Sequence, residues 1–309
     1  MYNTDRLFEA VKEKGHVCVG LDTAADYVPQ AERQKAASAP DAVLAFNKML
    51  IDSTFDIAAC YKVQIAYYEE MGIDGLKTYA QTLKYIREKG QLVIADIKRG
   101  DIADTAARYA KAHFEGSFEA DFVTLSPYMG MDSIEPWLSW AGSKGKGAFV
   151  LMRTSNSGMR DFEYLEISGA QAAQDTAQFN KPKRLYHAVG DKLSLLANAH
   201  LGKYGYGAFG AVVGCTEREE AAEIRKNYSN LFFLIPGYGA QGGAAQDAAL
   251  LLQNGNGGVV NASRSILTAW RTELKTGGAD ETKADNCFAA QAARKAAITM
   301  RDAIRAVIK

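Results

Sequence analysis

Short β-branched and apolar runs alternate with longer segments of helical period along the whole chain, the arrangement expected of a parallel sheet with crossover helices. Eight runs read as strands, at 16–22, 58–64, 92–98, 122–127, 148–154, 208–214, 232–237 and 258–263. Between them the apolar spacing predicts helices over 40–55, 74–89 (Leu76, Tyr79, Leu83 and Ile86 on one face), 183–203, 217–226 and a closing 283–308. The opening MYNTDRLFEAVKEKG reads as a short amphipathic helix with Leu7, Phe8 and Val11 on one side. Eight strands with eight crossovers suggest closure into a (β/α)8 TIM barrel of the α/β class, a single domain over 1–309. The competing doubly wound open sheet lacks its usual GxGxxG after the first strand, where VGLDTA stands instead. No repeat, low-complexity tract or Pro/Gly/Ser-rich linker divides the chain. Two segments exceed what a minimal barrel needs, at about 24–38 and 155–182. At the functional rim such loops serve as lids or as surface decoration, and the sequence leaves both open.

Composition narrows the function classes. With 48% hydrophobic and 23% charged residues over 309 positions, the chain has enough apolar material for a large core, which sets aside disorder and collagen-like structure. Lys and Arg number 36 against 36 Asp and Glu, so no basic surface field points to nucleic acid or an anionic membrane, and an anionic ligand has to be met locally. Apolar runs stop at about five residues, as in 231–235, where a bilayer needs roughly 20. The N-terminal segment lacks the apolar core of a secretory signal, so a cytoplasmic location is expected. Cys18, Cys60, Cys215 and Cys287 form no CxxC pair, and the first three lie in or beside apolar runs, which predicts buried free thiols. His16, His113, His187 and His200 are equally dispersed, and neither a metal nor a cofactor is expected.

The predicted strands end in polar residues, where barrel enzymes gather their active sites. Strand one ends at Asp22, strand two holds Lys62, strand three ends Asp96-Ile97-Lys98, and strand five runs into Arg153-Thr154-Ser155-Asn156. Strand seven opens into PGYGAQGG, and strand eight closes on Asn261-Ala262-Ser263-Arg264. The densest group is ADIKRGDIADT at 95–105. Alternation along a strand turns Asp96 and Lys98 to one face and Ile97 to the other. Asp101 follows in the turn, and Asp104 and Thr105 fall in the first turn of a helix, where an acidic or capping residue also complements the helix dipole. An alternating array of Lys62, Asp96, Lys98 and Asp101 would be mutually compensated; the blander reading is a buried ion pair with a helix cap.

A second group suits phosphate. Barrels commonly bind it with the loops after strands seven and eight, where this chain has a glycine-rich loop at 237–243 and then Arg264. Glycines let backbone N–H groups approach an anion, and a guanidinium fork matches its oxygens. Gln241 suits either phosphate or a ring carbonyl, Ser155 and Asn156 suit a heterocycle's edge, and Asp22 suits sugar hydroxyls.

Taken together, VGLD (19–22), YKVQ (61–64), DIKRGDIADT (96–105), RTSN (153–156), PGYGAQGG (236–243) and NASRSI (261–266) resemble orotidine 5'-phosphate decarboxylase, most of all its longer bacterial form. The likeness runs in order over nearly the whole chain. It implies a (β/α)8 homodimer that converts orotidine 5'-monophosphate to UMP and carbon dioxide without cofactor or metal. It further implies Lys98 as proton donor to C6, Asp96 as the carboxylate beside the substrate's own, and Lys62 and Asp101 as the rest of the charged network. Asp22 is implied as a ribose ligand, Ser155 as a pyrimidine contact, Gln241 as a phosphate and base contact, and Ser263 with Arg264 at the phosphate. Asp101 and Thr105 are implied to act across the dimer interface. Ser126 and Ser157 depart from the family pattern, where Asn and Pro are usual. The alternatives are another phosphosugar barrel, such as a Schiff-base aldolase or a metal-dependent synthase, or a nucleotide-binding barrel without chemistry.

Overall fold

The computed structural model describes residues 1–167, 183–239 and 244–308. Eight parallel strands close a barrel: β1 (Val17–Gly20), β2 (Cys60–Gln64), β3 (Leu92–Arg99), β4 (Phe122–Leu125), β5 (Gly147–Arg153), β6 (Phe209–Val213), β7 (Phe233–Ile235) and β8 (Gly258–Ala262). Each pairs with its neighbours in sequence, and β1 closes the ring by pairing with both β2 and β8, so that Cys18 sits opposite Cys60 on one side and Asn261 on the other. The expected single-domain barrel is therefore the architecture found, with predicted strand ends off by a residue or two.

Both faces of every strand are covered, which is why the strands read as continuous apolar runs rather than strict alternations. Outward residues such as Val17, Val19, Val63 and Val93 pack with Phe46, Leu50, Leu83 and Ile86 of the surrounding helices. Inward residues Cys18, Cys60, Ile94, Phe122, Phe149, Val212, Leu234 and Val259 form a separate cluster. The N-terminal helix Asn3–Lys14 adds Leu7 and Val11 to that inner cluster, so its apolar side caps the floor of the barrel.

The helix expected over 40–55 is Ala39–Thr54, its start capped by Ser38 Oγ accepting from the Asp41 N–H at 3.3 Å. The closing helix is Asn286–Val307, capped by Asp285, which accepts from the Phe288 N–H at 2.8 Å. The helix expected over 183–203 is shorter, Leu185–Ala199, because Lys183–Arg184 pairs antiparallel with Glu166–Ile167 instead. The segment 24–38 is built, with a 3-10 turn at Ala25–Tyr27 and a helix at Gln30–Lys35, and Trp270 Nε1 donates to the Tyr27 carbonyl at 3.1 Å. Of 155–182, a 3-10 turn at Ser157–Asp161 and the short strand are described, and residues 168–182 lie outside the described residues. Cys18, Cys60 and Cys215 are buried free thiols and Cys287 an exposed one. Among the described residues, no helix is long and apolar enough to cross a membrane.

Candidate active site

A cavity of about 490 Å³ opens at the C-terminal ends of the strands and receives side chains from β2 to β8 and from Asp22, just after β1. At its base Lys62 donates from Nζ to Asp22 Oδ1 and to Asp96 Oδ2, both at 2.9 Å, while Lys98 Nζ donates to Asp96 Oδ1 at 2.6 Å. The result is an alternating chain, Asp22, Lys62, Asp96, Lys98. Asp96 is nearly saturated, because Gln64 Nε2 donates to Oδ2 at 2.9 Å and the Thr124 hydroxyl to Oδ1 at 2.8 Å. Burial acts to raise the Asp96 carboxyl, but the Lys62 and Lys98 ammonium groups outweigh it and hold the group well below the usual carboxylate range. Burial acts to lower Lys62, and Asp22 with Asp96 outweighs it and raises that lysine above its ordinary value. Lys62 and Asp96 are thus held charged despite their burial, since each has opposite charges beside it.

Local backbone sets the position of Lys98. Pairing between β3 and β4 shifts register between Ala95 and Arg99, and Lys98 lies in the left-handed region at φ 45°. That conformation is costly for a residue with a side chain, of order 1 kcal/mol or more, and is maintained here by Thr124, whose Oγ1 accepts from the N–H groups of Ile97 and Lys98, each at 3.0 Å. As expected from alternation, Asp96 and Lys98 reach the cavity and Ile97 packs outward.

The fourth member of the expected array is different. Asp101 does not line this cavity; its Oδ1 accepts from the Ile102 N–H at 2.9 Å, and Asp22 supplies the second carboxylate to Lys62 instead. Thr105 is exposed on the first turn of the helix Ala103–Phe114 and is also absent from the cavity. Neither Asp101 nor Asp104 serves as a side-chain cap of that helix.

The other expected residues converge. Ser155 and Asn156 line the cavity beside Gly214, where a Cβ would come within 2.8 Å of the Ser155 Cβ, so only glycine lets the two strand ends approach. Arg153, by contrast, is fully buried and turned away: it donates to the carbonyls of Gly214 and Thr154 and ties β5 to β6. Arg264 stands exposed at the rim with Gly237, which has φ 100°, and among the described residues no side chain pairs with its guanidinium. Ser263 Oγ donates to Asp22 Oδ2 at 2.9 Å. Gln241 lies outside the described residues. Sequence reasoning assigned no role to Gln64, Thr124 or Asn261, which line the same cavity. Their signal was parity, since each is an even number of residues from an inward-facing apolar residue on its own strand. Among the described residues, no three His, Cys, Asp or Glu side chains are grouped to hold a metal.

Known proteins share this arrangement of strands. The profile of the family described as "Orotidine 5'-phosphate decarboxylase / HUMPS family" matches residues 15–273. Orotidine 5'-phosphate decarboxylase of Clostridium perfringens (strain SM101) is 53% identical over 304 residues, 98% of each chain. Among solved structures, Leishmania donovani OMP decarboxylase superposes with a TM-score of 0.72 at 29% identity, covering 99% of both chains. Leishmania donovani UMP synthase superposes with a TM-score of 0.74 at 30% identity, and there this chain spans 56% of the longer protein. With its barrel, its charged array and a likeness that runs nearly end to end, the chain belongs to the orotidine 5'-phosphate decarboxylase / HUMPS family.

Proposed function

We propose that the cavity decarboxylates orotidine 5'-monophosphate to UMP and carbon dioxide, the closing reaction of UMP synthesis, without metal or cofactor and with Lys98 as proton donor. The observation that carries this reading is the ionised Asp96 fixed between two ammonium groups at 2.9 and 2.6 Å. In the reaction the bond from C6 to the carboxylate breaks, its electron pair stays on C6, carbon dioxide leaves, and a proton moves from Lys98 Nζ to C6. No carbonyl adjoins C6 to delocalise that pair, so a fixed cation has to stabilise it. Asp96 beside the substrate carboxylate disfavours the ground state, and that repulsion vanishes as carbon dioxide departs.

Asp22 takes the ribose, Ser155 the pyrimidine, Gln241 both base and phosphate, and Arg264 with the backbone at Ser263 and the glycine-rich loop the phosphate. Remote phosphate binding then holds the ring against the array. The working unit is a homodimer in the cytoplasm, in which Asp101 and Thr105 enter the partner's pocket. Their exclusion from their own cavity supports this, as does the apolar exposure of Ile102 (45%) next to Asp101 and of the Tyr128 (83%) and Phe162 (58%) pair, whose rings lie 6.3 Å apart.

The test follows the ultraviolet absorbance of orotidine 5'-monophosphate with and without a metal chelator. Chelator-resistant turnover that disappears in Lys98→Ala is expected, whereas Arg264→Ala mainly raises KM. Equal, small losses in both variants would refute this division of roles.

A further inference from the structure

Below Asp22, a second chain of hydrogen bonds leads away from the reacting centre, and its protons can be placed. Ser263 has one hydroxyl proton, committed to Asp22 Oδ2 at 2.9 Å. Its oxygen therefore accepts, and Asn261 Nδ2 lies 3.4 Å away as the donor. That choice turns Asn261 Oδ1 toward Cys18, whose Sγ donates to it at 3.7 Å. The opposite amide orientation would leave Oδ1 facing an oxygen with no proton to give. Cys18 and Asn261 are direct partners across the β1–β8 pairing, and they are 0% and 8% exposed. Gly20 makes room for this chain, because a Cβ there would stand 1.9 Å from Ser263 Oγ and 2.9 Å from Asn261 Oδ1. The other Asp22 oxygen is held by Lys62, so the carboxylate is gripped from both sides.

We infer that Asn261, oriented by the Cys18 thiol, is a positioning residue that acts through Ser263 on Asp22 and thereby sets how strictly the pocket discriminates a ribose from a deoxyribose. The inference rests on the reading of Asp22 as the ribose ligand. The Ser263 hydroxyl is then spent on Asp22, which leaves only its backbone to meet an anion. Loss of the Asn261 amide frees the Ser263 hydroxyl to rotate, and Asp22 no longer presents one fixed acceptor to the sugar.

The experiment measures kcat/KM for orotidine 5'-monophosphate and for its 2'-deoxy and 3'-deoxy analogues in the wild type, Asp22→Ala, Asn261→Leu, Cys18→Ala and Cys18→Ser, with circular dichroism to score folding. Asp22→Ala is expected to collapse the ribose preference. Asn261→Leu is expected to lower it about tenfold and Cys18→Ala about threefold, each the size of one weakened hydrogen bond, while Cys18→Ser, which keeps a donor, retains it. A purely structural role would slow all substrates equally, and an unchanged ratio in Asn261→Leu and Cys18→Ala alongside a collapse in Asp22→Ala overturns the inference alone. An unchanged ratio in Asp22→Ala overturns it together with the ribose reading. Should Asn261→Leu fail to fold, the ratio in Cys18→Ala against Cys18→Ser decides in the same way.

Discussion

The interior of the barrel has two storeys built by the same strands. On β2 Cys60 is followed two residues later by Lys62, on β3 Ile94 by Asp96, on β4 Phe122 by Thr124, and on β8 Val259 by Asn261. Each step keeps the side chain facing inward and raises it by about 7 Å. The lower member is packed in an apolar cluster, and the upper one lines the cavity. The contrast explains both layers. A dry floor keeps water away from the underside of the charges and strengthens every Coulomb interaction above it. The same low dielectric makes an uncompensated ion too costly, so the upper storey has to alternate in sign.

Breaking the upper storey at its centre gives the largest expected effect. Lys62→Met leaves Asp22 and Asp96 facing each other with no cation between them. Turnover in the absorbance assay should fall by about 10³ or more, and urea denaturation should show a loss of about 3–5 kcal/mol. In the lower storey the two readouts should separate. Phe149, 1% exposed and 5.2 Å from the Phe122 ring, leaves a cavity when cut to alanine. Phe149→Ala is expected to cost about 3–5 kcal/mol of stability while kcat per folded molecule changes by less than about twofold. An equal effect on both readouts would erase the distinction between storeys.

Thr124→Val sharpens the comparison at the boundary. It keeps the shape but removes the donor to Asp96 and the acceptor for the Ile97 and Lys98 N–H groups. An intermediate result is expected, about tenfold in kcat and about 1–3 kcal/mol in stability.

The smallest effect on the charged pair itself is the response to pH. Asp96 is held below its ordinary 3.8, so its contribution is present above that value and is lost only as pH falls through the depressed one. Lys62 is held above its ordinary 10.5, so its contribution is present below that value and is lost only as pH rises past the elevated one. Asp96 and Lys62 therefore keep their charges from about pH 4 to 10. His16, at the foot of β1, is pushed down from 6.5 to about 4 by burial, and burial does the same to His113. Below pH 6.5 the unfolded chain takes up these protons first, so stability falls between pH 6.5 and 4 by at most about 3 kcal/mol for each histidine. His16→Gln should flatten that slope in urea midpoints, and a slope left unchanged would assign the acid loss to other groups, such as His187, which burial also lowers.

Much of this molecule is determined within a few residues of chain. Short β-branched and apolar runs marked eight strands, helical spacing marked the main helices, and parity along β3 placed Asp96 and Lys98 on one face before any contact was known. The same parity contained Gln64, Thr124 and Asn261, but a single polar residue at the end of an apolar strand is an ordinary cap until its neighbours are seen. What local sequence does not carry is which ion meets which. Asp101, three residues from Lys98, meets no member of the array in its own chain, and the second carboxylate on Lys62 comes from elsewhere. Asp22 takes that place from 40 residues before Lys62, and Ser263 reaches Asp22 across 241 residues. Arg153 lies on a strand that ends in the pocket and is nevertheless turned into the wall. Short-range sterics and solvent exclusion act on each strand by itself, and the sequence was enough for them. The pairing of charges, the orientation of the Asn261 amide and the approach of Ser263 over Gly20 depend on distances that exist only once β8 closes against β1, and those were decided by the tertiary structure.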